Sequence, residues 1–275
     1  MFDFGLINEE QKQAVLTTEG PVLIIAGPGT GKTFTLVKRI AYLVSEKKVN
    51  PSEIMVVTFT EKAAKELLTR ISNEFLKIDL NINMNEMYIG TFHSVCLRLL
   101  KENSEYVAED NKSRMMDAFE QTYLVCKNIE NFNRLPGFTK HFPATRGTWN
   151  QAATVCRYVN QMMEELVDVD AMIEDQDEDI RFLGKLVTRY KELLDRNGAM
   201  DFSSIQTKTF EMLKQYPDVL QRIQSDIRYI MVDEYQDTNY ILFFSCKKKN
   251  QLFLNIICVL IFIYHDVANI TLYSL

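Results

Sequence analysis

The sequence predicts an α/β protein: a mostly parallel sheet with helices on both faces, interrupted by an all-helical insertion. Three observations predict it. Val22–Ile25 is a short apolar run rich in β-branched residues, the pattern of a strand buried on both faces. It passes through a glycine-rich turn, Ala26–Thr33, into apolar positions at helical spacing (Leu36, Val37, Ile40, Ala41, Val44). Strand-like and helix-like runs then alternate to about residue 100, helix-compatible segments dominate from Lys101 to Arg196, and Ile227–Val232 returns to a buried strand.

Taken in order, Leu6-Ile7-Asn8-Glu9-Glu10-Gln11 opens a helix, with Asn8 as N-cap and Gln11 at the third helical position. That helix ends near Thr17, and a turn at Glu19-Gly20-Pro21 leads into the first strand. After the turn Asn50-Pro51-Ser52, Ile54–Phe59 reads as a strand, and Thr60 caps a helix from Glu61 to about Phe75. Met87–Gly90 reads as a third strand, with a helix from Thr91 to about Leu100. The insertion is expected to hold helices over Arg114–Lys127, Trp149–Leu166 and Glu178–Asp195, separated by loops at Leu135-Pro136-Gly137 and His141-Phe142-Pro143. The sheet domain is therefore discontinuous, residues 1–100 with 197–242, around an insertion at 101–196, and 243–275 form an atypical apolar tail.

Composition sets bounds on function. With 275 residues, 47% hydrophobic and 25% charged, the chain has ample length for a core and the balance of a soluble globular protein. The net charge of −6 argues against a generally basic nucleic-acid binder. The acidity is local, however: nine acids and no base lie between Glu164 and Asp179, while residues 1–100 hold 11 of each sign. That acidic run reads as a solvated helix face and loop. The five cysteines (Cys96, Cys126, Cys156, Cys246, Cys258) form no Cys-x-x-Cys pair and are too scattered for a metal site. Their odd number, and an N-terminus carrying Asp3, Glu9 and Glu10, point to reduced thiols and a cytoplasmic protein with no targeting segment.

Two stretches carry chemistry. Ala26-Gly27-Pro28-Gly29-Thr30-Gly31-Lys32-Thr33, set between a strand and a helix, is the context of a phosphate-binding loop. Small residues let backbone N–H groups approach phosphates, and the following helix presents its positive end. Lys32 would reach the β- and γ-phosphates of ATP, and the Thr33 hydroxyl would sit on Mg²⁺. Ala26 stands where the strict pattern has glycine. The second stretch is Asp233-Glu234 directly after the strand Ile227–Val232. Asp233 has the position of the acid that holds Mg²⁺ through its waters, and Glu234 that of the base that orients and deprotonates the attacking water.

With these motifs the chain resembles the N-terminal part of a superfamily 1 DNA helicase of the UvrD/Rep/PcrA type, whose motor domain is RecA-like. Leu6–Gln11 resembles the family's adenine-reading segment, which makes Gln11 the candidate base contact. Val57-Thr58-Phe59-Thr60-Glu61-Lys62-Ala63-Ala64 and Gly90-Thr91-Phe92-His93-Ser94 resemble two single-strand-binding segments. Asp233-Glu234-Tyr235-Gln236-Asp237-Thr238-Asn239 resembles the hydrolytic motif, with Gln236 as a further catalytic candidate. Met200-Asp201-Phe202 is similar to another family segment, although Ser203-Ser204 stands where acids are usual. Arg39 resembles a nucleotide-side arginine, a surface salt bridge being the alternative.

The resemblance implies an ATP- and Mg²⁺-dependent 3′→5′ helicase acting on single-stranded DNA or a single-strand/duplex junction, with no membrane contact. Phe59 would stack on unpaired bases, and Phe92 would either do the same or pack in the core. Thr58, Thr60, Thr91 and Ser94, with His93, would meet phosphate oxygens. Trp149 and Met115, Met116, Met162 and Met163 read as packing. The match of motifs ends near residue 241: Leu242 stands where the family has a glutamine, and neither the γ-phosphate-sensing segment nor a second motor domain follows. Truncation, a shifted reading frame or a purposeful end would each produce this tail, whose apolar run from Leu252 to Tyr264 is too short for a confident membrane span. The expectation is a chain that binds ATP and single-stranded DNA without unwinding alone. A non-catalytic nucleotide- or DNA-binding remnant and a helicase-like subunit of a recombination nuclease stay open as alternatives.

Overall fold

The computed structural model describes residues 2–20, 22–25, 27, 29–107 and 114–233, and the backbone of 271–274. The chain divides into two compact units, Met1–Val95 with Leu213–Leu275, and Cys96–Met212. No helix among the described residues is long and apolar enough to cross a membrane.

The first unit begins with α1 (Glu9–Leu16), β1 (Val22–Ile25), α2 (Lys32–Ser45), β2 (Ile54–Thr58), α3 (Glu61–Lys77) and β3 (Tyr88–Thr91). The chain then passes through α4 (Phe92–Glu102) into the second unit. There follow β4 (Arg114–Met115), α5 (Ala118–Lys127), α6 (Ile129–Asn133), α7 (Phe138–His141), α8 (Thr148–Glu164), α9 (Val169–Ile173), α10 (Glu178–Arg196) and β5 (Ala199–Met200). Helix α11 (Phe202–Gln215) leads back to the first unit, which adds α12 (Pro217–Asp226), β6 (Tyr229–Val232) and β7 (Thr271–Ser274).

The sheet is parallel, as expected. Strands β3, β2 and β6 lie side by side in that order, with Thr58 beside Thr91 and Val57 beside Val232. All five residues of β2 are buried, as a central parallel strand requires. A separate parallel ladder joins β1 to β7, Val22 beside Thr271. Here one expectation is corrected: β1 is covered on one face only, because alternate side chains point to opposite faces and Leu23 and Ile25 remain 37% and 57% exposed.

Two separate cores hold the units. In the first, Ile40 and Leu43 of α2, Leu67 and Ile71 of α3 and Ile54 and Val56 of β2 are essentially without solvent contact. In the second, Val125, Phe132, Val155, Val159, Leu186 and Tyr190 bring α5, α6, α8 and α10 together. Each such side chain contributes roughly 1.5–3 kcal/mol by leaving water. An ion pair lies inside the first core: Lys38 Nζ stands 2.6 Å from Glu74 Oε1, both side chains nearly fully buried, and donates to the Asp3 carbonyl at 2.9 Å.

Helix boundaries follow local chemistry. Asn8 and Gln11 form a reciprocal capping box at the start of α1, and the Thr60 hydroxyl accepts from the Ala63 N–H at the start of α3, both where the sequence places them. The helix expected from Arg114 begins instead at Ala118. Arg114 N donates to Gly198 O and Met116 N to Met200 O, so these residues are held extended against β5, and the Asp117–Glu120 capping box starts α5 after them.

Candidate nucleotide and nucleic-acid site

The turn between β1 and α2 owes its shape to glycine. Gly29 and Gly31 have φ of 79° and 87°, the left-handed region that side chains with a Cβ avoid. Gly31 is the N-cap of α2 and has no side chain with which to cap it. A Cβ at Gly31 would also stand 3.1 Å from Gln11 Nε2. The N-cap residue of α2 therefore offers its first amides no side-chain acceptor, which fits this turn to a phosphate group. Thr30 braces the loop through its hydroxyl, donating to Gly27 O at 2.8 Å, and Lys32 and Thr33 form the half-buried first turn of α2. Ala26 and Pro28 lie outside the described residues.

Gln11 and Arg39 tie α1 to this loop and its helix. Gln11 is buried; its Oε1 accepts from the Asn8 N–H at 3.0 Å, and its Nε2 donates to Thr30 O at 2.8 Å. One amide thus caps α1 and holds the loop. Arg39 is also buried, so it is not the surface salt bridge that stood as its alternative. Its Nη1 donates to the carbonyls of Ala14 (2.6 Å) and Thr17, at the C-terminal end of α1, where the helix dipole favours a cation.

The carboxyl ends of β3, β2 and β6 bring the other candidates to one edge. Asp233 follows β6, with its N–H donating to Val57 O at 2.9 Å, next to Thr58. Glu234 and Gln236 lie outside the described residues. The loop follows β1 and Asp233 follows β6, and these strands belong to different ladders among the described residues. Among those residues, too, no three His, Cys, Asp or Glu side chains group as a metal site.

The two single-strand segments divide into exposed and scaffolding residues. Phe59 is 41% exposed just past β2, while Phe92 and His93 are half-buried in the first turn of α4. Thr58 is fully buried, its hydroxyl without a hydrogen-bond partner among the described residues. The Thr91 hydroxyl donates to Glu61 Oε1 at 3.3 Å and accepts from the Ser94 N–H at 3.2 Å, and the Ser94 hydroxyl donates back to Thr91 O at 2.8 Å. Gly90 permits that turn, since a Cβ there would overlap Ser94 Oγ. In this arrangement Thr58, Thr60, Thr91 and Ser94 shape the strand ends, and Phe59 is the side chain turned to solvent. Burial pushes the His93 imidazole below its usual range, partly offset by the Glu61 carboxylate.

Sequence reasoning missed the polar cluster around Asp201. Asp201 Oδ2 accepts from the Tyr190 hydroxyl and from Gln121 Nε2 (2.8 Å), and Oδ1 accepts from the Ser204 N–H at 2.7 Å. Gln121 Nε2 also donates to Asn160 Oδ1 at 2.6 Å. The partners come from α5, α8 and α10, and only the Ser204 contact, three residues away, has a local signal. Ser203, where the family has an acid, donates its hydroxyl to Glu164 Oε1 at 3.1 Å.

Proteins described as ATP-dependent DNA helicase PcrA, from Staphylococcus aureus and Staphylococcus epidermidis, are each 33% identical to this chain over 234 residues, or 85% of it. The chain spans about 30% of the length of these relatives. The pattern of the UvrD/REP helicase N-terminal domain matches residues 7–259, past the point at which individual motifs stop being readable. The chain belongs to the UvrD/REP helicase N-terminal domain family.

Proposed function

We propose that this chain is the ATP-binding half of a DNA motor that moves 3′→5′ along single-stranded DNA, including at junctions with duplex. The observation that carries the reading is the strand–loop–helix at Val22–Ser45, with the left-handed Gly31 as N-cap of α2 and Lys32 in its first turn. The phosphates of ATP would be held by the first amides of α2 and Lys32, and Mg²⁺ by Thr33 and Asp233. The metal supplies charge neutralisation at the phosphates. Glu234 would take the proton of the attacking water and Gln236 would help position it. Gln11 would exchange its hydrogen bond to the loop for one to adenine, Arg39 would support the same pocket, and Phe59, Phe92, His93 and the neighbouring hydroxyls would meet the strand. Residues 1–100 with 197–242 form the motor domain and 101–196 its insertion in this reading.

By themselves these 275 residues are expected to bind ATP and DNA with little turnover. An arginine finger in related phosphate chemistry is worth roughly 10³–10⁵ in rate, and no motif here marks one. The test is ATP hydrolysis by the chain with and without oligonucleotide, beside the Lys32→Ala and Glu234→Gln variants. Near-background hydrolysis, unchanged in Glu234→Gln, is the expected result. Helicase-like turnover abolished by Lys32→Ala would overturn the claim that the chain is inactive alone.

A further inference from the structure

The helical unit carries a surface that the motor motifs leave unexplained. Between α5 and α8 lies an open groove of about 450 Å³, with Gln121 and Thr122 on one wall and Cys156, Arg157, Asn160 and Glu164 on the other. Beside it, one residue along α5 from the lining Ala118 and one turn back along α8 from the lining Ala153, Phe119 and Trp149 pack together. Their ring centroids are 5.2 Å apart, yet the residues stay 67% and 40% exposed. Tyr123, one turn on from Phe119, is 55% exposed. Trp149 thus packs, but on Phe119 at the surface. Adjacent aromatic rings left in water mark a surface that something covers.

Charge says what. Residues 131–163 hold Arg134, Lys140, Arg146 and Arg157 and no aspartate or glutamate, in a chain of net charge −6. Arg146 precedes α8 and Arg157 lines the groove, both exposed. The carboxyl in the groove wall, Glu164, is held above its usual range by burial, partly offset by the Ser203 hydroxyl. A protein partner would be served by the rings alone. On the α5 side the acids beside Phe119 are engaged, Glu120 with Arg114 and Asp117 as the cap of α5. Guanidinium groups beside exposed rings suit a polyanion that also presents flat faces.

We propose that α5 and α8 form a second binding surface for single-stranded nucleic acid, a base stacking on the Phe119–Trp149 pair and phosphates meeting Arg146 and Arg157. It shares a ligand class with the motor reading, but rests on residues outside every motif of that reading.

Trp149 is the only tryptophan of the chain, so its emission reports this surface alone. The experiment titrates the full chain with an oligothymidylate, without ATP, following Trp149 emission and, in parallel, the anisotropy of a labelled oligonucleotide. Saturable quenching that weakens with added salt is expected. Phe119→Ala and Arg157→Glu should each raise the midpoint of quenching roughly tenfold. Circular dichroism of the variants confirms that these exposed substitutions leave the fold intact. If anisotropy reports binding while Trp149 emission stays constant, the strand sits elsewhere and this proposal fails with the motor reading standing. Silence of both signals overturns the proposal and counts against the motor reading too. A blue shift that grows with protein concentration in the absence of DNA assigns the surface to self-association, which also overturns it.

Discussion

The two units use buried polarity in opposite ways. In the first, the candidate chemistry lies at strand ends and in a loop, and the buried ion pair Lys38–Glu74 clamps α2 to α3 beneath it. In the second, the polar groups gather in the interior, where Asp201, Tyr190, Gln121 and Asn160 join helices far apart in sequence. Titration follows the same division. Burial pushes the Cys96 and Cys156 thiols up to about 12 and the Tyr190 hydroxyl well above its ordinary value, so these groups stay protonated and serve packing. The comparison teaches that buried polarity in the second unit joins helices, whereas the candidate site of the first lies at a glycine-capped helix start.

The largest effects should come from breaking the interior groups. Lys38→Met leaves Glu74 buried beside the exposed Lys77, and Asp201→Ala strands the Tyr190 hydroxyl proton and the Ser204 N–H. Each should cost about 3 kcal/mol or more in denaturant unfolding. A loss under 1 kcal/mol in either would break the comparison by making its cluster dispensable. Next comes Lys32→Ala, expected to weaken nucleotide binding at least tenfold while the melting temperature stays put.

Gln11→Ala is expected to be intermediate. It removes the Asn8 N–H to Gln11 Oε1 half of the capping box and the bond to Thr30 O, at about 1 kcal/mol of stability, and it should also weaken ATP binding. Wild-type nucleotide affinity in that variant would reduce Gln11 to a cap.

The smallest effect concerns pH. The folded His93 imidazole titrates below its ordinary 6.5, so as pH falls below that value the unfolded chain takes up a proton the folded chain refuses. Stability should fall with pH in that window, and His93→Gln should flatten the slope. Thiol labelling sharpens the same contrast: Cys96 and Cys156 should react only on unfolding, measured against the half-buried Cys126.

What was legible in the sequence is what the backbone itself demands. Gly29 and Gly31 are needed for a left-handed turn, Asn8 and Gln11 for a cap three residues apart, and Thr60 for the start of α3. Each is a local constraint that the chain announces in place. The Asp201 cluster was not legible, because Gln121 and Tyr190 lie 80 and 11 residues away and only packing joins them. For the same reason the half-exposed β1 and the two-residue pairing of Arg114–Met115 with Ala199–Met200 were missed. Both depend on distant chain segments, Thr271–Ser274 in the first case. The single-strand segments fall between these cases: their glycine and hydroxyl pattern is readable, but the burial of Thr58 and exposure of Phe59 are set by the sheet.

The central claim is that the turn after β1 holds the phosphates of ATP. Isothermal titration of the full chain with Mg·ATP, beside Lys32→Ala and a Gly31→Val variant that strains the left-handed turn, tests it most directly. Saturable one-site binding that is lost in both variants, with circular dichroism unchanged in Lys32→Ala, is the predicted result. Equal binding by wild type and Lys32→Ala would contradict the account, since the nucleotide would then be held by something other than this loop.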